Sequence, residues 1–294
     1  MGNSSYSVDA RLERATTMKY ATAPVTKIFT QSESRQIHAA MNPSGVAFRE
    51  SRDSELHPHS IPVQLYLDVT GSMGHIPHEL IKEGLPKLMG GLIQKGLNDI
   101  SLMFGAIGDH ECDRFPLQIG QFESGDAELD MWLTRTFLEG GGGGNAGESY
   151  LLAWYFASNH IQTDAFSKRR AKGFVFTVGD EPNLTTLPMS AVKGLMGTAA
   201  AGQGTSFTAA ELLTKAQETN HVFHIHVDHG GRHVDPRWKE LLGENCIVIT
   251  DHTTLPMVLS DIILKTLRVS PASVTSDAPV QDAGTAPTPK VDML

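Results

Sequence analysis

Cysteine is nearly absent from this 294-residue chain: Cys112 and Cys246 are its two, far apart and not in a CxxC pair. Neither a disulfide framework nor a cysteine-rich zinc site is suggested, and a reducing compartment fits. Long apolar runs are missing as well. No stretch approaches the roughly 18 apolar residues needed to span a bilayer, and the N-terminal MGNSSYSVDARLERATTMKY lacks the apolar core of a secretory signal. Tyr6 stands where an acylation motif at Gly2 would place Ser or Thr, so no lipid anchor is expected. A cytoplasmic chain that does not engage a membrane is the expectation. Positive charge is scarce: 24 Lys and Arg face 33 Asp and Glu, for a net charge of −9, and the densest basic run is Lys168-Arg169-Arg170. Such a chain repels phosphate backbones, so nucleic acid is not an expected partner.

What is present suffices for one large core, since 40% of the residues are hydrophobic. Residues 1–60 are polar, with turn-forming Asn42-Pro43-Ser44-Gly45 and His57-Pro58-His59-Ser60, and read as an N-terminal extension. Residues 61–268 carry the periodic patterns of a folded domain. Residues 269–294, rich in Pro, Ser, Thr and Ala, have the composition of a disordered tail.

Within 61–268, Val63-Gln64-Leu65-Tyr66-Leu67 is a short apolar run bounded by Pro62 and a glycine turn, as in a buried central strand. Asp68 therefore ends a strand. Apolar positions from Ile76 to Ile93 recur at three and four, predicting a helix over 76–95 with Pro77 in its first turn. Ile100–Ile107 predicts a second strand, and the region around Phe115 to Phe122 a third, joined by so short a connection that the pair should be antiparallel at an edge. Helices are expected over Glu128–Phe137, Tyr150–Asn159 and Leu255–Leu267. Strands are expected over Phe174–Val178, Val222–Val227 and Cys246–Thr250. Strands alternating with helices imply a doubly wound, mostly parallel α/β sheet with helices on both faces, which binds ligands outside the carboxyl ends of its strands.

Asp68, Thr70 and Ser72 are spaced by two on the loop leaving the first strand, so a carboxylate and two hydroxyls can converge. Hard oxygen donors of this kind suit Mg²⁺, and Mn²⁺ accepts the same set. Asp180 ends another expected strand, and Glu148 follows five consecutive glycines, Gly140–Gly144, so both can enter the same crevice from separate segments.

Asp68-Val69-Thr70-Gly71-Ser72-Met73 after a strand resembles the Asp-x-Ser/Thr-x-Ser signature of the von Willebrand factor A family, whose metal-ion-dependent adhesion site (MIDAS) grips a partner's carboxylate. The resemblance covers roughly residues 60–268 and includes the order of elements. It implies that Asp68, Thr70 and Ser72 form the first metal loop and that Asp180 is the acidic residue from the later strand. The family's second loop usually supplies a Thr; here Gly140–Ser149 contains none, and Glu148 is the substitute, with Asn145 and Ser149 as alternatives, directly or through water. Intracellular members of the family often serve as adaptors in protein assemblies, sometimes alongside chaperone-type ATPases, and this chain resembles uncharacterised bacterial or phage-borne members. A non-enzymatic, metal-dependent protein-binding module is the implied function, its partner supplying an Asp or Glu.

Each assignment has a plainer rival. Asp68 to Ser72 could be a turn in which Asp and Thr bond only backbone amides, and Glu148 a first-turn carboxylate favouring a helix dipole. Asp109 and His110, after the second strand, are candidates for a second shell around metal waters, as is Asn145. His224 and His226 face one side of a strand, but no Cys or helical His pair accompanies them, which disfavours zinc. The glycine run lacks the Lys-Ser/Thr of a phosphate-binding loop. Trp132, Trp154 and Trp238 sit in helical patterns that suggest core packing. The rival function is enzymatic: Asp-Val-Thr-Gly-Ser also looks like the nucleophile loop of haloacid dehalogenase-like Mg²⁺-dependent phosphoryl-transfer enzymes, with Asp68 as nucleophile. Thr70 in place of their acid/base Asp and the lack of a well-placed Lys before Gly179 weigh against it.

Overall fold

The computed structural model describes residues 4–140, 147–228, 231 and 233–269. A six-stranded sheet runs through its centre: β1 (Ile61–Asp68), β2 (Ile100–Ile107), β3 (Leu117–Ile119), β4 (Gly173–Gly179), β5 (Asn220–Val227) and β6 (Cys246–Ile249). Across the sheet the order is β6-β5-β4-β1-β2-β3. All neighbours are parallel except β3, which runs antiparallel to β2 at the edge. The chain thus enters at β1, winds outward through β2 and β3, then returns to build β4, β5 and β6 on the other side. The reversal puts a topological switch point between β1 and β4, where the helices depart to opposite faces, the place at which sheets of this kind bind ligands.

Period-two alternation sorts the strand side chains between two cores. Leu65, Leu67, Leu102, Phe104, Phe176 and Ile225 face the helices at 75–94, Asp126–Thr134 and Leu255–Thr266. Tyr66, Met103, Val175 and Val222 face Leu151–Asn159, Met189–Met196 and Ala209–Thr219. The expected fold class and antiparallel edge are both observed. Elements missed in the sequence include the helices Val8–Thr17, Asp164–Arg169, Met189–Met196 and Ala209–Thr219, the pair Thr186–Pro188 with Ser206–Thr208, and the parallel pair Arg49–Ser51 with Ile161–Thr163.

The helix expected over 76–95 is two α segments, His75–Glu79 and Leu85–Gln94, joined by a π turn at Leu80–Gly84. The Leu85 N–H donates to the Leu80 carbonyl, five residues back. The next donor in that register would be Pro86, which has no N–H, so the Ile81 carbonyl loses its partner. It is met instead by the guanidinium of Arg11, which donates through Nη2. Arg11 is fully buried, pairs with Asp130 at 2.6 Å and lies over the Tyr20 ring. The helix Val8–Thr17 is thereby fastened to the domain, and Phe29 and Met41 are wholly buried in the same core. Residues 4–60 are polar in composition yet packed.

Candidate metal centre

Because β1, β2, β4 and β5 are parallel and in register, the residues that follow them share one edge. Asp68 ends β1, Asp109 follows β2 by two positions, and Asp180 and Asp228 come directly after β4 and β5. In sheet order these are Asp228, Asp180, Asp68 and Asp109, with the switch point between Asp180 and Asp68. Asp68, Asp109 and Asp180 are buried, at 1%, 3% and 3% exposure. Carboxylates this deep are tolerated only with strong hydrogen bonding or a cation.

Asp68 Oδ1 accepts from the Thr70 N–H (2.9 Å) and hydroxyl (2.7 Å), and its Oδ2 accepts from the Tyr150 hydroxyl at 2.8 Å. The Thr70 carbonyl then accepts from Met73 and Gly74, closing a turn that leads into the helix at His75 and leaves Ser72 half-buried on it. The Asp68–Thr70 bonds are those of an ordinary Asx turn. A carboxylate has about four lone-pair sites, so these three bonds leave it room for about one more.

The turn does not account for Glu148. Its N–H donates to the Pro182 carbonyl (2.9 Å) and its own carbonyl accepts from the Leu184 N–H (3.3 Å), which pairs it in parallel with Asn183. Gly147 is required beside it, because a Cβ there would lie 2.8 Å from the Pro182 carbonyl oxygen. The Glu148 side chain is buried, and its Oε2 has no hydrogen-bond partner. Burial pushes the Glu148 carboxyl well above the usual range, helped by the charges of Asp68, Asp113, Asp109 and Glu181. Burial also raises Asp68, together with the charge of Asp180 and against the bonds from Thr70 and Tyr150. Tyr150 is raised by burial and then by Asp68 and Glu148, so its proton stays on to donate.

Ser149 serves the neighbouring group. Its Oγ lies 3.3 Å from Asp109 Oδ1 and 2.7 Å from His110 Nδ1, and it accepts from the His110 N–H at 3.0 Å. Asp109 and His110 are thus joined to the loop that carries Glu148. Asn145 lies outside the described residues.

Among the described residues no three Cys, His, Asp or Glu side chains converge as a ready-made metal cage. The donor set is of another kind: buried carboxylates bonded to the hydroxyls of Thr70 and Ser149, with the half-buried Ser72 on the same turn as Thr70, all hard oxygens, which suits a cation that keeps several waters. Glu148 Oε2, buried among other acids, is the atom that such a cation would satisfy. The residues present fit a divalent ion.

No family model matches the chain, and no curated protein matches it. Among solved structures it is similar to the pilus adhesin SpaC from Lactobacillus rhamnosus GG in its open conformation, with 10% identity and a TM-score of 0.48 over 74% of this chain and 31% of that one. It is also similar to proximal thread matrix protein 1 from the mussel byssus, with 12% identity and a TM-score of 0.44 over 72% of this chain and 48% of that one. A further structure of that byssus protein has a zinc-occupied MIDAS motif, with 10% identity and a TM-score of 0.42 over 72% of this chain and 48% of that one. The chain spans about a third to a half of the length of these structures.

The residue of this site that sequence reasoning missed is Tyr150, which bonds Asp68. It is fully buried, with edge-on contacts to His224 (5.2 Å) and Trp238 (5.3 Å), and Gly179 makes room for its hydroxyl. The only signal was its place two residues after Glu148, at the start of an apolar helix. His224 is a core residue: it stacks on Trp238 at 3.6 Å, its Nδ1 lies 2.9 Å from the Thr177 hydroxyl, and burial holds it neutral. Trp154 and Trp238 are fully buried and Trp132 nearly so, as core packing requires. Lys168 and Arg169 pair with Asp53 near the start of β1, away from the acidic edge.

Proposed function

We propose that this chain is a divalent-metal-dependent protein-binding module that holds Mg²⁺ or Mn²⁺ at the switch point and grips an Asp or Glu carboxylate of a partner protein. The observation that carries this reading is the Glu148 carboxylate, buried beside Asp68 and Asp109 with Oε2 unpartnered. Thr70, Ser72 and Glu148 would hold the ion directly, with Asp68 and Asp180 joining directly or through water. Tyr150 and Thr70 fix the Asp68 carboxylate by three hydrogen bonds, which leaves little freedom for it to leave the site. Bound there, the ion supplies a coordination position at which water can give way to a partner's carboxylate oxygen. Ser149, Asp109 and His110 form a connected rim that can orient water. We extend the reading to a cytoplasmic adaptor, in an assembly of the kind that includes a chaperone-type ATPase, on the family resemblance alone.

The module is proposed as non-enzymatic. Both oxygens of Asp68 already accept hydrogen bonds, which lowers its reactivity as a phosphoryl acceptor. Calorimetric titration of Mg²⁺ and Mn²⁺ into metal-stripped wild type and Asp68→Ala tests the reading. Saturable binding lost in the variant, with no hydrolysis of an aryl phosphate, is expected. Selection from a peptide library should then enrich acidic peptides in Mg²⁺ and not in chelator. Turnover that disappears with Asp68 would replace this reading with phosphoryl transfer, and absence of metal binding would end it.

A further inference from the structure

Asn183 carries a second unanswered polar group beside the first. The residue is 4% exposed, and neither Oδ1 nor Nδ2 has a hydrogen-bond partner. A buried amide left in that state is costly, and native structures rarely keep one without a reason. Its position is set by backbone: the Glu148 N–H to Pro182 carbonyl bond and the Leu184 N–H to Glu148 carbonyl bond flank it on both sides. Residues paired in a parallel ladder project from the same face, so the Asn183 amide and the Glu148 carboxylate leave the Glu148–Asn183 pair together. Two segments far apart in sequence thus deliver two buried, unsatisfied polar side chains to one place.

We propose that Asn183 is a positioning residue of the metal centre, its buried carboxamide presenting Oδ1 and Nδ2 to the water shell of an ion held beside Glu148. The proposal rests on the metal-binding reading above. A neutral amide suits this place, because it offers a donor and a hard oxygen to the waters of a hydrated cation while adding no charge to an acidic edge. An aspartate would worsen the repulsion around Glu148. A leucine of similar size would remove both unsatisfied groups and would serve a purely structural position better.

That contrast gives the test. Wild type, Asn183→Leu and Asn183→Ala are stripped of metal, and each is measured for thermal midpoint and for Mn²⁺ affinity by calorimetry and by the paramagnetic signal of free Mn²⁺. The Leu variant should keep or raise the metal-free midpoint and bind Mn²⁺ about 10–100-fold more weakly, the range seen when residues that orient metal ligands are removed. If Leu does not fit the space, Ala carries the comparison, with the same loss of affinity expected. Wild-type Mn²⁺ affinity in a folded variant would overturn the role of Asn183 and leave the metal centre standing. No Mn²⁺ uptake by wild type would overturn both.

Discussion

Gly179→Ala probes how closely the sheet and the Glu148 segment are fitted. A Cβ at Gly179 would lie 1.8 Å from Tyr150 Oη, 2.6 Å from Cζ and 2.8 Å from Cε1. None of these atoms belongs to a loose side-chain tip, since Tyr150 is fully buried against His224 and Trp238. The ring must move, and its 2.8 Å bond to Asp68 breaks. Overpacking costs about 1–3 kcal/mol, and losing a hydrogen bond to a charged group about 1.5–3 kcal/mol more. A total of about 2.5–6 kcal/mol lowers the midpoint of a domain of this size by about 5–24 °C, at ~2–4 °C per kcal/mol. Tyr150→Phe should cost only the hydrogen-bond part. Because both single substitutions lose that bond, the double variant should be less destabilised than their sum by about 1.5–3 kcal/mol. Thermal and denaturant unfolding of all four proteins decide the matter. A wild-type midpoint for Gly179→Ala, or strict additivity of the pair, would refute the geometry assigned to Tyr150 and Asp68.

Proton linkage gives a second prediction. Asp68 and Glu148 both have carboxyls raised in the folded, metal-free protein, so the native state binds more protons than the unfolded one. Their contribution to stability is therefore present at acid pH and lost as pH rises above the ordinary carboxylate range of about 4. Saturating Mg²⁺ should flatten that fall and release protons on binding, read as a dependence of the calorimetric heat on buffer ionisation enthalpy; identical pH–stability curves with and without Mg²⁺ would contradict it. Arg11→Met should destabilise by up to about 3–5 kcal/mol, because it leaves the buried Asp130 with only the 3.4 Å contact from Arg14 and the Ile81 carbonyl uncapped. A loss under about 1 kcal/mol, the range of exposed pairs, would show that the N-terminal helix is not fastened by this contact.

Much of the fold was legible because its strands are short, buried runs with a single possible period. Ile100–Ile107 is observed with its expected bounds, and Asp68 stands at the end of β1 as read. The antiparallel edge followed from the length of one connection. Residues 184–219 were not legible: glycines and alanines there dilute the helical period, and the Thr186–Pro188 and Ser206–Thr208 strands are three residues each, too short to alternate. The π turn was invisible because the group that answers the freed Ile81 carbonyl, Arg11 70 residues before it, is brought there by tertiary packing. At the site, Asp68 and Asp180 stand at the strand ends where spacing and element order put them, and Thr70 bonds Asp68 on the turn that follows; that these residues, with Ser72 and Glu148, hold a metal is the proposal. Tyr150 and Asn183 came from packing and pairing across distant segments, which no local pattern encodes.

The most direct measurement is anomalous diffraction from crystals grown with Mn²⁺. One strong peak is predicted at the β1–β4 switch point, within about 2.0–2.3 Å of oxygens from the Thr70–Ser72 turn and Glu148, and it should be absent in Asp68→Ala. A peak elsewhere, or none at saturating Mn²⁺ in well-ordered crystals, would contradict the metal centre on which the proposed function rests.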